Sequence, residues 1–394
     1  METAGQLAAV APLDAWAPRA SGLGAYVHVP FCTKRCGYCS FNTAPYLAAA
    51  VPRFLRSLDA EIALAGATPW APGVNLRTVF LGGGTPSLLA PAELAGILDA
   101  LRSRFGIAPD AEITVECNPE GVTAERFAGY RAAGVTRISL GVQSLDDRVL
   151  PILDRLHSAA DARRAFAAAR DAGFPHVSLD LIYGLPGQDA AGWARTVTEA
   201  LAWQPDHLSA YALSLDEGSA WTATGVRGLP VEDTVAEQYG TLTRLAAEAG
   251  YEHYEVSNYA RPGHRSAHNQ VYWRAEEYLG VGPGACGFLG DVRYGNAKPL
   301  ERYCATLEGG RLPVAAHETL TPRQRLAERL FLGLRTAEGV PAAWMDERIA
   351  LEPGRLAARL GDWQERGLLE HRDGRLRLTE AGFFLSDALF VDLL

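Results

Sequence analysis

The chain reads Tyr26-Val-His-Val-Pro-Phe-Cys32-Thr-Lys-Arg-Cys36-Gly-Tyr-Cys39-Ser-Phe-Asn42, with three cysteines in eight residues after a β-prone run at 26–29. A C-x3-C-x2-C spacing on one tight loop lets three thiolates face one iron–sulfur cube and leaves its fourth iron open to another ligand. Structural zinc needs four closed ligands, so a zinc site would have to borrow one, such as His28. Three buried thiols without metal are the other alternative. The spacing favours a [4Fe–4S] cluster held by Cys32, Cys36 and Cys39.

Outside this loop, β-prone runs alternate with segments of helical spacing. The runs lie at 26–29, 78–81, 113–116, 137–140, 177–182 and 207–213, and clear helical segments lie at 92–105, 124–133, 160–172 and 190–203. Such alternation predicts a parallel sheet wrapped by helices. Six strand–helix units fit before about residue 250, fewer than the eight of a closed barrel. We therefore predict an α/β fold built on a partial (β/α)6 barrel.

Polar and glycine-rich segments follow four consecutive predicted strands. They contain Gly83-Gly84-Thr85, Glu116, Gln143 and Asp180. Active sites of such folds lie at the C-terminal ends of the strands. We expect these residues to share one site with the cysteine loop.

The sequence pattern changes after residue 250 and predicts four regions. These are an N-terminal extension at 1–24, the barrel core at 25–250, a linker and ligand-contact region at 251–321, and a helical, winged-helix-like domain at 322–394. In the third region, Gly280-Val-Gly-Pro-Gly284 is predicted to be a turn. In the fourth, residues 368–378 predict a hairpin with Asp373-Gly374 at its turn. This domain holds 11 Arg against 12 Asp and Glu, so it lacks the basic face of a DNA-binding module.

Composition excludes several classes of protein. The chain has 394 residues, 48% of them hydrophobic and 21% charged, with a formal net charge of −9. A negative net charge provides no overall field for nucleic acid or anionic lipid. The N-terminal residues do not resemble a secretory signal, and no apolar run is long enough for a transmembrane helix. We expect a cytoplasmic protein whose clustered cysteines bind metal instead of forming disulfides.

The segment from Tyr26 to Asn42 resembles the signature of the radical S-adenosylmethionine (radical SAM) enzymes. Within that superfamily, the flanking His-Val-Pro-Phe resembles the branch of oxygen-independent coproporphyrinogen dehydrogenases and HemW haem chaperones. The resemblance covers nearly all of the chain after residue 24. It implies a [4Fe–4S] cluster whose open iron chelates SAM, and one-electron cleavage of SAM to methionine and a 5′-deoxyadenosyl radical.

The resemblance also implies which residues contact SAM. Gly83, Gly84 and Thr85 would line the methionine amino group, because glycine lets the backbone come close to a ligand. Glu116 resembles the acceptor of the ribose hydroxyls. The other implied contacts are Gln143, Arg155 and Asp180 and, near the cluster and the adenine, Tyr26 and the backbone at Tyr38.

Two features separate members of this branch. The porphyrinogen dehydrogenases carry a further cysteine two residues after the third, where this chain, like the chaperones, has another residue, Phe41. The segment His268-Asn-Gln-Val-Tyr272-Trp273 fits the H-N-x-x-Y-W motif tied to haem binding in HemW proteins. Histidine offers an axial nitrogen to haem iron, and aromatic rings offer faces to the macrocycle. His268, Tyr272 and Trp273 are thus implied haem contacts; alternatively, His268 and Trp273 are packed core around a turn.

Three residues depart from the usual pattern of the chaperones. Cys286 stands where the histidine of a Gly-Ala-His stretch is usual, Cys117 where Ala is common, and Ser40 where Asp is common. A cysteine thiolate also ligates haem, so Cys286 leaves haem binding open. The main alternative is a radical SAM methyltransferase or cyclopropane-forming enzyme that uses two SAM molecules. Phe41 argues against coproporphyrinogen dehydrogenase activity.

The resemblance as a whole implies a haem chaperone that binds the cluster, SAM and haem. The implied partners are haem, an apo-haemoprotein acceptor and an electron donor, and we also consider a homodimer. Neither nucleic acid nor a membrane span is expected. Whether SAM is consumed in turnover, and hence whether the protein is an enzyme, stays open at this point.

Overall fold

A computed structural model describes residues 13–351 and 354–391. Short 3-10 helices lie at Leu13–Ala15, Ala71–Gly73 and Pro86–Leu88. The strands, in chain order, are β1 (Gly22–Val29), β2 (Phe31–Cys32), β3 (Ala44–Pro45), β4 (Asn75–Gly83), β5 (Ile107–Cys117), β6 (Arg137–Gln143), β7 (His176–Tyr183), β8 (His207–Ala212), β9 (Glu252–Glu255), β10 (Asn258–Ala260), β11 (Tyr278–Val281), β12 (Cys286–Leu289), β13 (Val292–Asn296), β14 (Val314–Thr319), β15 (Val340–Pro341), β16 (Leu369–Arg372) and β17 (Arg375–Leu378). The α-helices are α1 (Val51–Gly66), α2 (Pro91–Phe105), α3 (Ala124–Ala133), α4 (Ala159–Asp171), α5 (Ala190–Ala202), α6 (Ala220–Thr224), α7 (Glu232–Glu248), α8 (Ala267–Trp273), α9 (Leu300–Glu308), α10 (Pro322–Leu334), α11 (Ala342–Leu351), α12 (Arg355–Glu365), α13 (Glu380–Phe384) and α14 (Ser386–Phe390).

One twelve-stranded sheet organises the described part of the chain, in the order β14-β13-β12-β11-β1-β4-β5-β6-β7-β8-β10-β9. Neighbouring strands from β11 to β8 are parallel, and the strands beyond them on both sides are antiparallel. β14 and β9 stay unpaired with each other, so the barrel is open. The strands β1, β4, β5, β6, β7 and β8 are followed by α1, α2, α3, α4, α5 and α7. The predicted α/β class and partial (β/α)6 barrel are confirmed.

Local signals explain where the barrel helices begin and end. α3, α4 and α5 begin after Thr123, Ser158 and Asp189, whose side chains accept hydrogen bonds from the first turn of each helix. Each such cap contributes about 1 kcal/mol to helix stability. α3 ends at Gly134, whose φ of 102° lies in the left-handed region that glycine enters without strain.

The region 251–321 contributes strands to both edges of the sheet. β9 and β10 extend it beyond β8, whereas β11 to β14 extend it beyond β1. The prediction of a turn at 280–284 is wrong for its first two residues, because β11 pairs in parallel with β1 there. A Cβ at Gly280 would lie 1.8 Å from the Cys286 carbonyl oxygen, so the close approach of β12 requires glycine inside this strand. Glycine in a short run hid the strand from sequence reasoning.

The C-terminal region holds helices α10 to α14 around a small sheet, β15-β17-β16. The predicted hairpin is confirmed, with Asp373 and Gly374 at φ values of 52° and 71° between β16 and β17. The four predicted region boundaries stay predictions, and residues 1–12 of the predicted N-terminal extension lie outside the described residues. Among the helices of the described segments, none has the length and apolar character needed to cross a membrane.

Candidate functional site

The cysteine loop leaves the sheet after β1, and its base is closed by pairing of β2 with β3. The backbone N–H of Tyr46 donates to the Cys32 carbonyl at 2.9 Å. In the middle of the loop, the Asp154 carboxylate accepts from the Gly37 N–H at 3.1 Å and pairs with Lys34 at 2.7 Å. The loop is thus held at two points, and its cysteines are presented from a defined backbone.

The three thiols lie near one another at a cavity of about 420 Å³ beside the C-terminal ends of the parallel strands. Cys32, Cys36 and Cys39 are free thiols with half-buried side chains. Burial raises the pKa of Cys32 to about 11 and also raises the pKa of Cys39. Because iron binds the thiolate, loading of a cluster must displace the protons from these thiols.

The thiols fit an iron–sulfur cube better than a single zinc ion. Zinc needs four ligands at about 2.0–2.3 Å from one point, and no three His, Cys, Asp or Glu side chains of the described residues converge in this way. His28, the fourth ligand that a zinc site would borrow, has both ring nitrogens engaged. Its Nδ1 bonds the Tyr26 hydroxyl at 2.9 Å and its Nε2 bonds the Asn42 carbonyl at 2.8 Å. In a cube, by contrast, each thiolate binds a different iron.

Arg155 lies beside the thiols on the barrel side of the cavity. Its Nη2 donates to Asn118 Oδ1 and to the Gly141 carbonyl, both at 2.7 Å, and its Nη1 lies 3.9 Å from Cys36 Sγ. Its Nε is buried without a hydrogen-bond partner among the described residues. A fixed guanidinium with one unused donor is suited to an anionic group of a bound cofactor.

Two half-buried carboxylates face the cavity from β5 and β7. Glu116 accepts from the Gly83 N–H at 3.0 Å, and both oxygens of Asp180 lie 2.9 Å from the donating Ser139 hydroxyl. Burial and then the Asp180 charge raise the pKa of Glu116 to about 7, and burial also raises the pKa of Asp180. A ligand that brings hydroxyl donors and positive charge favours the ionised form of both groups.

The glycine turn packs directly against the cysteine loop. Gly83 has a φ of 107°, and a Cβ there would come within 2.4 Å of the His28 ring. A Cβ on Gly84 would come within 2.6 Å of the Phe31 carbonyl oxygen. Thr85 follows and lines the same cavity. Loop packing therefore requires both glycines, whether or not a ligand also approaches their backbone.

All of the predicted SAM contacts except Tyr26 line this cavity. Gln143 lines it with a φ of 63°, a strained conformation for a residue other than glycine and one often found at functional sites. Tyr38 also lines it and packs against Trp221, with ring centroids 6.0 Å apart. Tyr26 lies behind the wall, where its ring stacks on Phe80. The SAM contacts themselves stay predictions.

Sequence reasoning assigned no role to a polar inner wall of the barrel. Side chains alternate across a strand, and parallel strands are normally apolar on both faces. Polar residues at alternate positions of β6 and β8 therefore indicated that one face of these strands lines a polar cavity. The unassigned lining residues include Asn118, Arg137, Ser139, His207, Ser209, Tyr211, Ser266 and Asn269.

The predicted haem contacts lie on the short helix α8 and are not on one surface. His268 is buried, with Nδ1 bonded to the Thr78 hydroxyl and Nε2 to the Tyr272 hydroxyl, both at 2.8 Å. Its ring stacks on Phe80, and burial lowers its pKa to about 3. Trp273 lines a second cavity beside the C-terminal domain. Haem ligation by His268 requires one of these nitrogen bonds to break.

Cys286, which stands in place of the expected histidine, is exposed on β12. It lies near a group of tyrosines, Tyr26, Tyr272 and Tyr278. It is absent from the cavity wall that carries the three loop thiols. Cys286 therefore belongs to a different surface from the cluster loop.

Comparison with known proteins accounts for this architecture. Residues 26–200 match the model of the radical SAM superfamily, and residues 320–385 match the HemN C-terminal domain. The solved structure of coproporphyrinogen III oxidase (HemN) from Escherichia coli superposes with a TM-score of 0.85 over 97% of this chain and 92% of that chain, at 24% identity. The HemN likeness shows a shared fold. The superfamily match confirms the prediction of a [4Fe–4S] cluster and SAM as cofactors.

Curated relatives match over nearly the whole chain. "Heme chaperone HemW" of Mycobacterium tuberculosis (strain ATCC 25618 / H37Rv) is 44% identical over 94% of this chain and 94% of its own. "Heme chaperone HemW" of Bacillus subtilis (strain 168) is 33% identical over 93% of this chain and 97% of its own. The resemblance stated from the cysteine loop is thereby confirmed. The chain belongs to the HemW family of the radical SAM superfamily.

Proposed function

We propose that this chain binds haem and passes it to an apo-haemoprotein, while the barrel cavity holds a [4Fe–4S] cluster and SAM. Its similarity to proteins named heme chaperone, along nearly the full length of both chains, carries the proposal. Phe41, where the porphyrinogen dehydrogenases have a further cysteine, supports the same choice.

In this proposal Cys32, Cys36 and Cys39 each ligate one iron of the cluster and leave the fourth iron to SAM. When bound, the cluster supplies an electron for cleavage of a C–S bond of SAM. The protein binds and orients SAM and excludes water. The proposed SAM contacts are Tyr26, Tyr38, Gly83, Gly84, Thr85, Glu116, Gln143, Arg155 and Asp180.

The charges around the cavity support a cationic nucleoside ligand. SAM carries a sulfonium centre and ribose hydroxyls, which suit the carboxylates of Glu116 and Asp180. The unused Nε–H of Arg155 offers a donor to the methionine carboxylate. Binding of SAM would also deprotonate Glu116, whose pKa lies near 7 in the free protein.

For haem we propose contacts with His268, Tyr272 and Trp273. Because both nitrogens of His268 are bonded, haem binding must displace the Tyr272 or the Thr78 hydroxyl. The exposed thiol of Cys286, beside the tyrosines, offers a second candidate ligand to haem iron.

We further propose a cytoplasmic location, an electron donor that reaches the cluster, and a homodimer as one assembly state. Exposed apolar side chains beside the cysteine loop, Phe41 and Leu47, support contact of this region with a partner protein.

The test is an anaerobic haem titration of the cluster-reconstituted protein, followed by visible absorbance. We expect saturable, stoichiometric binding that weakens by at least about tenfold in His268→Ala. His264→Ala removes a half-exposed histidine outside the motif and serves as the matched control, with unchanged affinity expected.

Each alternative result has a distinct meaning. If the wild-type protein binds no haem saturably, the chaperone proposal is wrong, and a methylated or cyclopropanated product should be sought with two equivalents of SAM. If haem binds and His268→Ala leaves its affinity unchanged, only the ligand assignment is wrong. Repeating the titration with Cys286→Ala then tests the second candidate.

A further inference from the structure

A second cavity, of about 110 Å³, lies where α8 meets the C-terminal domain. It has room for several water molecules or a short carboxylate-bearing chain, and not for a macrocycle. Its wall combines guanidinium groups from four separate segments with two indole rings. These side chains belong to Arg265, Arg274, Arg329, Arg375, Trp273 and Trp344.

The cavity has more positive than negative charge. Glu338 is the carboxylate in its wall, and it accepts from Arg265 and Arg274, both at 3.3 Å. Arg375 donates to the backbone carbonyls of Glu338 and Gly339, at 2.7 and 2.8 Å. Carbonyls satisfy its donors without cancelling its charge, so the Arg375 charge is uncompensated within the described residues.

Arg329 is the second uncompensated cation. Its guanidinium lies over the Trp344 ring, 5.4 Å from the centroid, and no carboxylate of the described segments pairs with it. Its side chain is exposed, so its donors are accessible to a ligand from solvent. The other two guanidinium groups are compensated: Arg265 and Arg274 share Glu338, and Arg265 also pairs with Glu252 at 3.0 Å. The two groups that hold no acid among the described residues, on Arg329 and Arg375, are those suited to an oxyanion.

Helix α8 connects this cavity to the barrel. Trp273 and Gln270 line the small cavity, whereas Asn269 on the same helix lines the large one. At 1.5 Å per residue, Asn269 and Trp273 are separated by about 6 Å along the helix axis. The Nε1–H of Trp273 is buried without a hydrogen-bond partner among the described residues, and its side chain lines the small cavity.

We propose that this arginine pocket binds a carboxylate of haem, one of the two propionate side chains, while the ring system lies along α8. The proposal rests on the proposed haem-binding function. It assigns the orientation of the ligand to Arg329 and Arg375 in the C-terminal half of the chain, outside the H-N-x-x-Y-W motif. Paired guanidinium groups recognise a carboxylate through charge and directed hydrogen bonds together.

The test compares haem with its dimethyl ester, in which both carboxylates are blocked, on the full-length protein loaded with cluster. We expect the wild-type protein to bind haem at least about tenfold more tightly than the ester. Arg329→Gln and Arg375→Gln should each reduce this preference. Arg372→Gln, on neighbouring β16 and outside the pocket, is the matched control and should keep it.

Equal affinities of the wild-type protein for haem and ester, or a preference that survives in both variants, would overturn the pocket assignment and leave haem binding standing. Absence of saturable haem binding would overturn the proposed function and the pocket assignment together. Arg375 also bonds the backbone carbonyls of residues 338 and 339, so Arg375→Gln could unfold the domain. In that case the result for Arg329→Gln alone tests the proposal. Binding of inorganic phosphate by the pocket, together with equal affinities for haem and its ester, would also overturn the pocket assignment. The pocket would then be a site for a free anion.

Discussion

The cysteine loop and helix α8 each carry a sequence motif for a cofactor, but the ligand atoms of the two motifs differ in burial and in hydrogen bonding. The three loop thiols are free and half-buried beside a large cavity. The α8 histidine is buried, with both nitrogens bonded and its ring stacked on Phe80. The loop thiols must lose their protons to bind iron, whereas His268 must break a hydrogen bond of 2.8 Å to bind haem.

The loop sulfurs make only long contacts, from Thr85 Oγ1 to Cys32 at 3.7 Å and from Arg155 Nη1 to Cys36 at 3.9 Å, whereas His268 makes two bonds of 2.8 Å. A motif therefore predicts chemistry more securely when its ligand atoms are weakly engaged. In the loop, spacing alone places three sulfurs on one short segment. On α8, the state of His268 depends on Thr78, which lies far away in sequence.

Cys36→Ala should remove the cluster almost completely, because the loop supplies three thiolates and the cluster needs all three of them. Iron content and the visible absorbance of the anaerobically reconstituted protein measure the loss. Cys286→Ala removes an exposed thiol outside the cavity and should leave both unchanged. A full iron complement in Cys36→Ala would show that the loop thiols are not the ligands.

Asp180→Asn should weaken SAM binding by about tenfold or more, because the variant loses a charge that faces a cationic ligand. Equilibrium binding to the cluster-loaded protein measures the affinity. Iron content should not change, and Asp171→Asn, an exposed acid at the end of α4, should bind SAM normally. Unchanged affinity in Asp180→Asn would remove this residue from the site.

Glu116 should make the protein less stable as pH rises. Its pKa of about 7 in the fold exceeds its ordinary value of 4.5, so the folded state binds more protons than the unfolded state between these values. The free energy of unfolding then falls across this window, by about 1–3 kcal/mol, with the lower end favoured because the group faces an open cavity.

Denaturant unfolding at pH 5 and pH 8, without SAM, measures this dependence, and Glu116→Gln should reduce it. Saturating SAM should also reduce it, because SAM stabilises the ionised carboxylate. An identical pH dependence in the wild-type protein and Glu116→Gln would contradict the assignment of this proton to Glu116.

Thr78→Val should lower the free energy of unfolding by about 1–3 kcal/mol, because it leaves a nitrogen of the buried His268 without a partner. Thr224→Val, at an exposed position on α6, is the control and should have a smaller effect. Iron content should be unaffected, since the two regions are separate. Unchanged stability would mean that His268 is less constrained than its hydrogen bonds indicate.

Much of the barrel could be predicted because its elements carry local signals. The helix expected at 124–133 is α3, and the turn at Asp373-Gly374 is found where it was predicted. β11 was missed because its four residues include glycine and form a strand only through pairing with β1. The glycines at 83 and 84 were expected for ligand approach, and the structure adds a packing reason that involves His28 and the loop backbone.

The cluster chemistry, the alternation of strands and helices, and the family could all be predicted from the amino-acid sequence. Each of these depends on neighbours along the chain: the spacing of three cysteines, hydrophobic periodicity, and helix caps. Packing of the folded chain, by contrast, places eight of the nine predicted SAM contacts around one cavity and puts Tyr26 behind its wall. The packing of these elements also engages both nitrogens of His268 and brings arginines that flank α8 together with arginines of the C-terminal domain at a small pocket. The physical reason is that convergence across strands and domains depends on register and packing, which bring together residues that no local pattern connects.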